Sequence, residues 1–231
     1  MGVGKLDVIE FKDAFAAMSD AELRDYKFLS SFIFNRCGLK FSKTVPMNCS
    51  DRSKLDCWGG VNSKQYPDEL AKLLVFIYEN RLKIHSYCEI GVERGGTFFI
   101  IDSFLRAVNP NMGESLGIDK RISGNRRVIF DKYVKAYPKV KYQLIHSVYF
   151  KPTQRYGLCF IDGDHSYLGA KRDFELMKSF SKHIALHDIY LNAGGVKKLW
   201  REMSGEKVEF INEDKLFSMS VGIGVWRDSD G

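Results

Sequence analysis

Tyr87-Cys88-Glu89-Ile90-Gly91-Val92-Glu93-Arg94-Gly95-Gly96-Thr97 reads as a short strand that a glycine-bearing turn ends abruptly. The apolar run that follows, Phe98, Phe99, Ile100, Ile101, Phe104 and Leu105, is dense enough for a helix buried against a sheet. Ser115–Ile118 then makes a second strand that delivers Asp119 at its tip. Strand, glycine turn, helix, strand and terminal acid form one half of a nucleotide-binding α/β fold. Gly91, Gly95 and Gly96 let the backbone approach a ligand closely, and the N–H groups that open the helix can face its polar groups. Asp119 is placed to take both hydroxyls of a ribose, with Lys120 beside it as a further candidate contact.

Spacing narrows the ligand. A dinucleotide fingerprint wants G-x-G-x-x-G, and position 93 is glutamate, so a nicotinamide oxidoreductase ranks last among the readings. An acid, Glu89, stands two residues before the first glycine instead. This E-x-G-x-x-x-G pattern with a strand-end acid resembles the S-adenosylmethionine (SAM) site of class I methyltransferases. SAM has no pyrophosphate to cradle, but its sulfonium and amino group favour an acid near the loop. The bland alternative is a glycine turn with an incidental acid.

The chain has 231 residues, enough for one α/β domain with some decoration. A net charge of +6 allows an acidic or phosphorylated substrate without requiring nucleic acid. The five cysteines (37, 49, 57, 88 and 159) form no C-x-x-C pair and leave an odd count, which speaks for a reduced, cytoplasmic chain. No run approaches membrane-spanning length, and the first residues lack the apolar core of a signal peptide. Asp7 stands where a myristoylation signal wants Ser or Thr.

Residues 1–40 read as helical and amphipathic, with a helix start at Ser19-Asp20-Ala21-Glu22 and an apolar face through Leu23, Phe28, Leu29, Phe32 and Ile33. Packing is the default role, while a lid or a homodimer contact are the alternatives. Residues 1–60 are taken as this helical extension and 61–231 as the cofactor-binding domain. Cys57-Trp58-Gly59-Gly60-Val61 suits a mobile cover or a plain turn. A helix runs from about Pro67 to Asn80. The basic stretch from Lys120 to Lys141 reads as a solvated helix face, with a phosphate-docking patch as the competing reading. Further strands are expected at Tyr142–His146, with Ser147 at the exit, at Tyr156–Asp162 and at His183–Leu186. Two β segments, Val208–Ile211 and Ser218–Trp226, close the chain as an antiparallel pair. The outcome is a Rossmann-like, doubly wound, mostly parallel seven-stranded sheet with one antiparallel strand.

Ligands of open α/β sheets bind outside the carboxyl ends of the strands. Polar groups collect at four of those ends: Glu89 to Gly91, Asp119, Asp162 to His165, and His187-Asp188. Each alone could be an ordinary polar turn; together they point to a site. The segments Phe160-Ile161-Asp162-Gly163-Asp164-His165-Ser166-Tyr167, Asp173-Phe174, His187-Asp188-Ile189 and Gly195-Val196 through Trp200-Arg201-Glu202 resemble one branch of the class I methyltransferases. That branch holds the cephalosporin-hydroxylase-like proteins and the macrocin-type sugar O-methyltransferases. Gln65-Tyr66-Pro67 leading to Glu89-Ile90-Gly91 and Gly95-Gly96-Thr97 matches it too, so the resemblance spans about residues 58–203. Ser179-Phe180-Ser181-Lys182 departs from the Pro-Gly-Gly usual there, and His187-Asp188 stands where some relatives carry two acids.

The resemblance implies that Glu89, Gly91, Gly95 and Gly96 hold the methionine end of SAM, Asp119 its ribose, and that Ser147 lies near the adenine. It implies that Asp162 and Asp188 bind a divalent cation, Mg²⁺ by their oxygen chemistry, with Asp162 also at the cofactor. Asp164, His165 or His187 would serve as the base. The leading expectation is O-methylation of a small hydroxylated acceptor, such as a sugar or secondary metabolite. Methylation of a nucleic acid or its cap, and a non-catalytic SAM-binding scaffold, are the other readings.

Overall fold

The computed structural model describes residues 5–39, 65–122, 124–192, 194–212 and 221–227, without the side chains of residues 124–126. Inside its sheet lies β1 (Tyr87–Ile90), buried at all four positions. β2 (Ser115–Asp119) and β3 (Val140–Leu144) extend the sheet on one side of β1. On the other side follow β4 (Tyr156–Ile161), β5 (Ser181–His187), β7 (Ile223–Arg227) and β6 (Glu206–Phe210). The seven strands run in the order β3-β2-β1-β4-β5-β7-β6, parallel except β7, which is antiparallel to both neighbours. This is the Rossmann-like fold of class I methyltransferases, as expected.

Alternation along the strands divides two cores. Tyr87, Leu158, Phe160 and Ala185 face one layer, whereas Cys88, Ile90, Cys159, Ile161 and Ile184 face the other. The first layer contains α4 (Pro67–Glu79), α5 (Gly96–Val108) and α6 (Gly124–Ala136); the second contains α7 (Tyr167–Lys178) and α8 (Val196–Glu202). Helices on both faces explain why β1 and β4 are buried at every position.

The N-terminal segment follows from the composition of α5. Ten of its residues are buried, Phe98, Phe99, Phe104 and Leu105 among them, and an all-round apolar helix needs cover on its outer side. α1 (Phe11–Ala16) supplies it, with Phe15 edge-on to Phe104 at 5.2 Å and tilted on Phe32 at 5.3 Å. Burying a phenylalanine contributes about 1.5–3 kcal/mol. α2 (Asp20–Arg24) starts at Ser19 with the capping box expected there. The helical stretch is interrupted at Asp25, whose extended backbone (ψ 100°) ends α2 while its carboxylate caps α3 (Tyr26–Asn35) through Lys27 N and Phe28 N.

Several strand ends differ from expectation, because ladder partners set them. β3 pairs from Val140 opposite Ser115, so it spans 140–144 rather than 142–146. β5 begins at Ser181, opposite Tyr156, two residues before His183. β6 covers 206–210 rather than 208–211, and β7 covers 223–227, with residues 218–220 of the expected strand outside the described ones. Cys37, Cys88 and Cys159 are free and buried. Cys49, Cys57 and the Cys57–Val61 loop lie outside the described residues. Among the described residues no helix is long and apolar enough to cross a membrane.

Candidate active site at the carboxyl ends of the strands

Leaving β1, the chain turns through two left-handed glycines, Gly91 (φ 94°) and Gly95 (φ 81°), with Glu93 also at positive φ (43°). Gly91 has a second reason to lack a side chain. A Cβ there would lie 2.2 Å from the carbonyl oxygen of Asp162, because the exits of β1 and β4 pack backbone to backbone. Gly95 is the N-cap of α5 and Gly96 its first residue. Asp119 reaches this turn from β2: one carboxylate oxygen accepts from Glu93 N at 2.7 Å and the other from Arg121 N at 3.0 Å. An ionised carboxylate offers about four lone-pair sites, so capacity for two ribose hydroxyls remains. A ribose-binding acid therefore fits here, and the same acid already shapes the loop. Lys120 is exposed beside it.

Glu89 is 2 % exposed and accepts from the Tyr87 hydroxyl on the same strand face. Burial pushes its carboxyl well above the ordinary carboxylate range; the Tyr87 bond opposes this, and the charges of Asp162 and Asp119 reinforce it.

β4 and β5 bring the acid and histidine groups together. Asp162 accepts on Oδ1 from His187 Nδ1 at 3.0 Å, and the same nitrogen lies 3.3 Å from Asp188 Oδ1. Asp188 Oδ2 receives His165 Nδ1 at 2.8 Å. Asp188 stands at φ 64°, a region that aspartate tolerates better than bulkier residues. His187 is 4 % exposed. Desolvation lowers its pKa, but the charge and hydrogen bond of Asp162 outweigh it and raise the value to about 9. Its Nε2 has no partner among the described residues, so an imidazolium would bury an unpaired N–H, a cost that opposes the pull of the acids. In either state Nδ1–H donates to Asp162. The His165 ring is raised by its bond to Asp188, and its side chain is 43 % exposed, open to a ligand.

Asp164 turns away from this cluster. It accepts from Ser166 N at 2.9 Å and folds over Gly169, where a Cβ would meet its carboxyl at 2.2 Å. The Ser166 backbone bond lowers its pKa, which suits a helix-start acid rather than a base. Ser147 lies at the β3 exit as expected, where its Oγ accepts from Arg172 of α7 at 3.1 Å. Next to Arg172, Asp173 is fully buried, with its carboxyl raised by that burial.

Three residues assigned no site role from sequence tie these ends together, although Gln65 and Thr97 stand within the resembling motifs. Thr97 Oγ1 donates to Gln65 Oε1 at 2.7 Å, and Gln65 Nε2 donates to Asp162 Oδ2 at 2.8 Å. Glu69, one turn into α4, accepts from the backbone N–H groups of Asn212 (3.2 Å) and Gly222 (3.0 Å).

Asp162, His165 and Asp188 each offer a ligand atom within 4.8 Å of the others. Mg²⁺ favours octahedral oxygen coordination, whereas this set includes an imidazole nitrogen and both carboxylates accept from imidazole N–H groups. The set is a poor fit for Mg²⁺, and mixed nitrogen and oxygen donors better suit a borderline divalent ion.

No protein-family model matches the chain, and no curated protein does. Solved structures match it in fold. Cofactor-bound Rv0187 from MTB aligns with a TM-score of 0.50 at 11% identity, over 66% of this chain and 77% of that one. The SAH-bound Podospora anserina methyltransferase PaMTH1 aligns at 0.48 and 15% identity, over 68% and 79%. The N-methyltransferase NodS from Bradyrhizobium japonicum aligns at 0.45 and 11%, over 65% and 93%. At such identities the likeness is one of fold.

Proposed function

We propose that the protein is a SAM-dependent methyltransferase that methylates a hydroxyl of a small acceptor. The observation that carries this reading is the convergence on one sheet edge of an acid-anchored glycine turn and an acid–histidine cluster with an exposed ring. Gly91, Gly95, Gly96 and Glu89 would border the methionine end of the cofactor, Asp119 its ribose, and Ser147 its adenine side. SAM supplies an electrophilic methyl group on a sulfonium.

The chain's own residues provide the base. Asp188 accepts the Nδ1–H of His165, which fixes the tautomer and leaves Nε2 with a lone pair for the acceptor's hydroxyl proton. The raised pKa of His165 makes it a more effective proton acceptor once deprotonated, and Asp188 stabilises the imidazolium that forms. His187 donates to Asp162 and holds it in place. Alignment of acceptor and methyl group would supply most of the rate. No step requires a metal.

The nucleic-acid reading draws less support. Within the basic stretch, Lys132 pairs with Asp7, Lys141 with Glu114, and Arg127 lies 4.0 Å from Asp131, so part of its charge is neutralised inside the chain.

Calorimetric titration with SAM and S-adenosylhomocysteine (SAH) on the wild type and Asp119→Ala tests the proposal. Hydrogen bonds to a charged group contribute about 1.5–3 kcal/mol, so the variant should bind roughly 10- to 100-fold more weakly. A wild type that binds neither ligand refutes the reading.

A further inference from the structure

We propose that Gln65 is a positioning residue that couples the cofactor turn to the acid–histidine centre. The proposal rests on the methyltransferase reading and adds a means by which occupancy of one half of the site is felt in the other. Gln65 is 1 % exposed and lies on the approach to α4, two residues before Pro67. Its amide spans the gap between two strand ends, with Thr97 on one side and Asp162 on the other.

The polarity of this chain of bonds is set by chemistry. An ionised carboxylate only accepts, so the Gln65 NH₂ group must face Asp162 and the carbonyl must face Thr97. Asp162 then holds a donor on each oxygen, Gln65 Nε2 on Oδ2 and His187 Nδ1 on Oδ1, and its plane is determined from both sides. Thr97 is the second residue of α5, directly after Gly95-Gly96, where the cofactor's amino-acid end would meet the helix N-terminus. A carboxylate arriving there competes for the Thr97 hydroxyl proton. Once that donor turns, the bond between Thr97 and the Gln65 carbonyl is lost, and because the amide is one rigid group any shift of its carbonyl moves its NH₂ relative to Asp162. Downstream of Gln65, Pro67 opens α4 and Glu69 in the same turn holds the backbone at Asn212 and Gly222. The next group in line beyond Asp162 is His187.

The test reads the histidines directly. Protein labelled with ¹⁵N at histidine is titrated with SAH, following ring nitrogens of His165 and His187, with His85 and His146 as controls. In the wild type, saturating SAH should shift the His187 Nδ1 resonance. Thr97→Val removes one neutral hydrogen bond and should bind SAH within about tenfold of wild type, whereas Gln65→Met removes that bond and the one to the Asp162 carboxylate and should be the weaker of the two. In both variants the His187 response should disappear, and Thr97→Ser, which keeps the hydroxyl, should restore it. The double variant should weaken SAH no more than the stronger single one, as residues in one chain of bonds do not act additively. Thr97→Val keeps the test decisive where Gln65→Met fails to fold. If SAH binds but His187 does not respond, or responds equally in the variants, the coupling is refuted and the methyltransferase reading stands. If SAH does not bind the wild type, both fall.

Discussion

Replacing Gly91 with alanine probes fold and site at once. The residue stands at φ 94°, where a side chain costs about 1–3 kcal/mol of backbone strain. The added Cβ would also lie 2.2 Å from the carbonyl oxygen and 2.4 Å from the carbonyl carbon of Asp162. Those are backbone atoms, bonded through Asp162 N to Ile90 O at 2.8 Å, so they cannot step aside as a side-chain tip could. Overpacking of this kind costs about 1–3 kcal/mol. The two effects sum to about 2–6 kcal/mol, and a chain of this size loses about 2–4 °C of Tm per kcal/mol. Thermal unfolding followed by circular dichroism should therefore show a fall of roughly 5–20 °C, with SAH affinity lost in any folded fraction because Asp162 is displaced. Gly163→Ala is the control. Its Cβ would meet Ile90 Cγ2 at 3.3 Å, a contact a methyl group can relieve, and the loss should stay near 1 kcal/mol or less. A Gly91→Ala protein that melts within about 2 °C of wild type would refute the close packing of the two strand exits.

Glu89→Gln should stabilise the protein while weakening SAM. Burial raises the folded pKa of Glu89 above its ordinary value of 4.5, so its contribution to stability is fully present below that pH and is lost as pH rises through the folded value. The amide keeps an acceptor for Tyr87 without that loss, so urea midpoints should favour the variant at pH 8, by about 1 kcal/mol, and converge with wild type near pH 4. A variant less stable at both pH values would contradict this. Asp102→Ala should cost about 3–5 kcal/mol in urea denaturation, because the fully buried carboxylate is the shared acceptor of Arg106, Tyr133 and Ser115. Measured SAH affinity of the folded variant should be unchanged, as none of these groups lies at the carboxyl ends of the strands. Titration with divalent ions should rank Zn²⁺ at least about tenfold above Mg²⁺, and His165→Ala should reduce that preference; the reverse order would exclude the imidazole as a ligand.

What could be read from residues alone was what is local. The glycine turn after β1 and the acid at the end of β2 are short patterns, and the structure has them where the pattern places them. Asp119 was legible as a position, but not as the group that holds Glu93 N, since that depends on how the turn folds back. Strand ends were misjudged by two residues at β3 and β5 because a partner strand, rather than the strand's own residues, decides where a ladder starts. Gln65 stood within a resembling motif, but its role was illegible for a similar reason: its partners lie 32 and 97 residues away in the chain. The three candidate bases, Asp164, His165 and His187, looked alike in sequence. Only the direction of each side chain separates a helix-start acid, an exposed ring and a buried one.

β6 reaches the sheet only through β7, which lies between it and β5. Amide protons of the two strands should therefore exchange with solvent as one cooperative unit, since opening β7 frees both. Glu69 grips the backbone at Asn212 and Gly222, at the inner ends of that pair, from the same turn of helix that follows Gln65. Local opening of the sheet's far edge and order in the acid–histidine cluster would thereby be linked. A ligand that tightens the cluster should slow exchange at an edge it never touches.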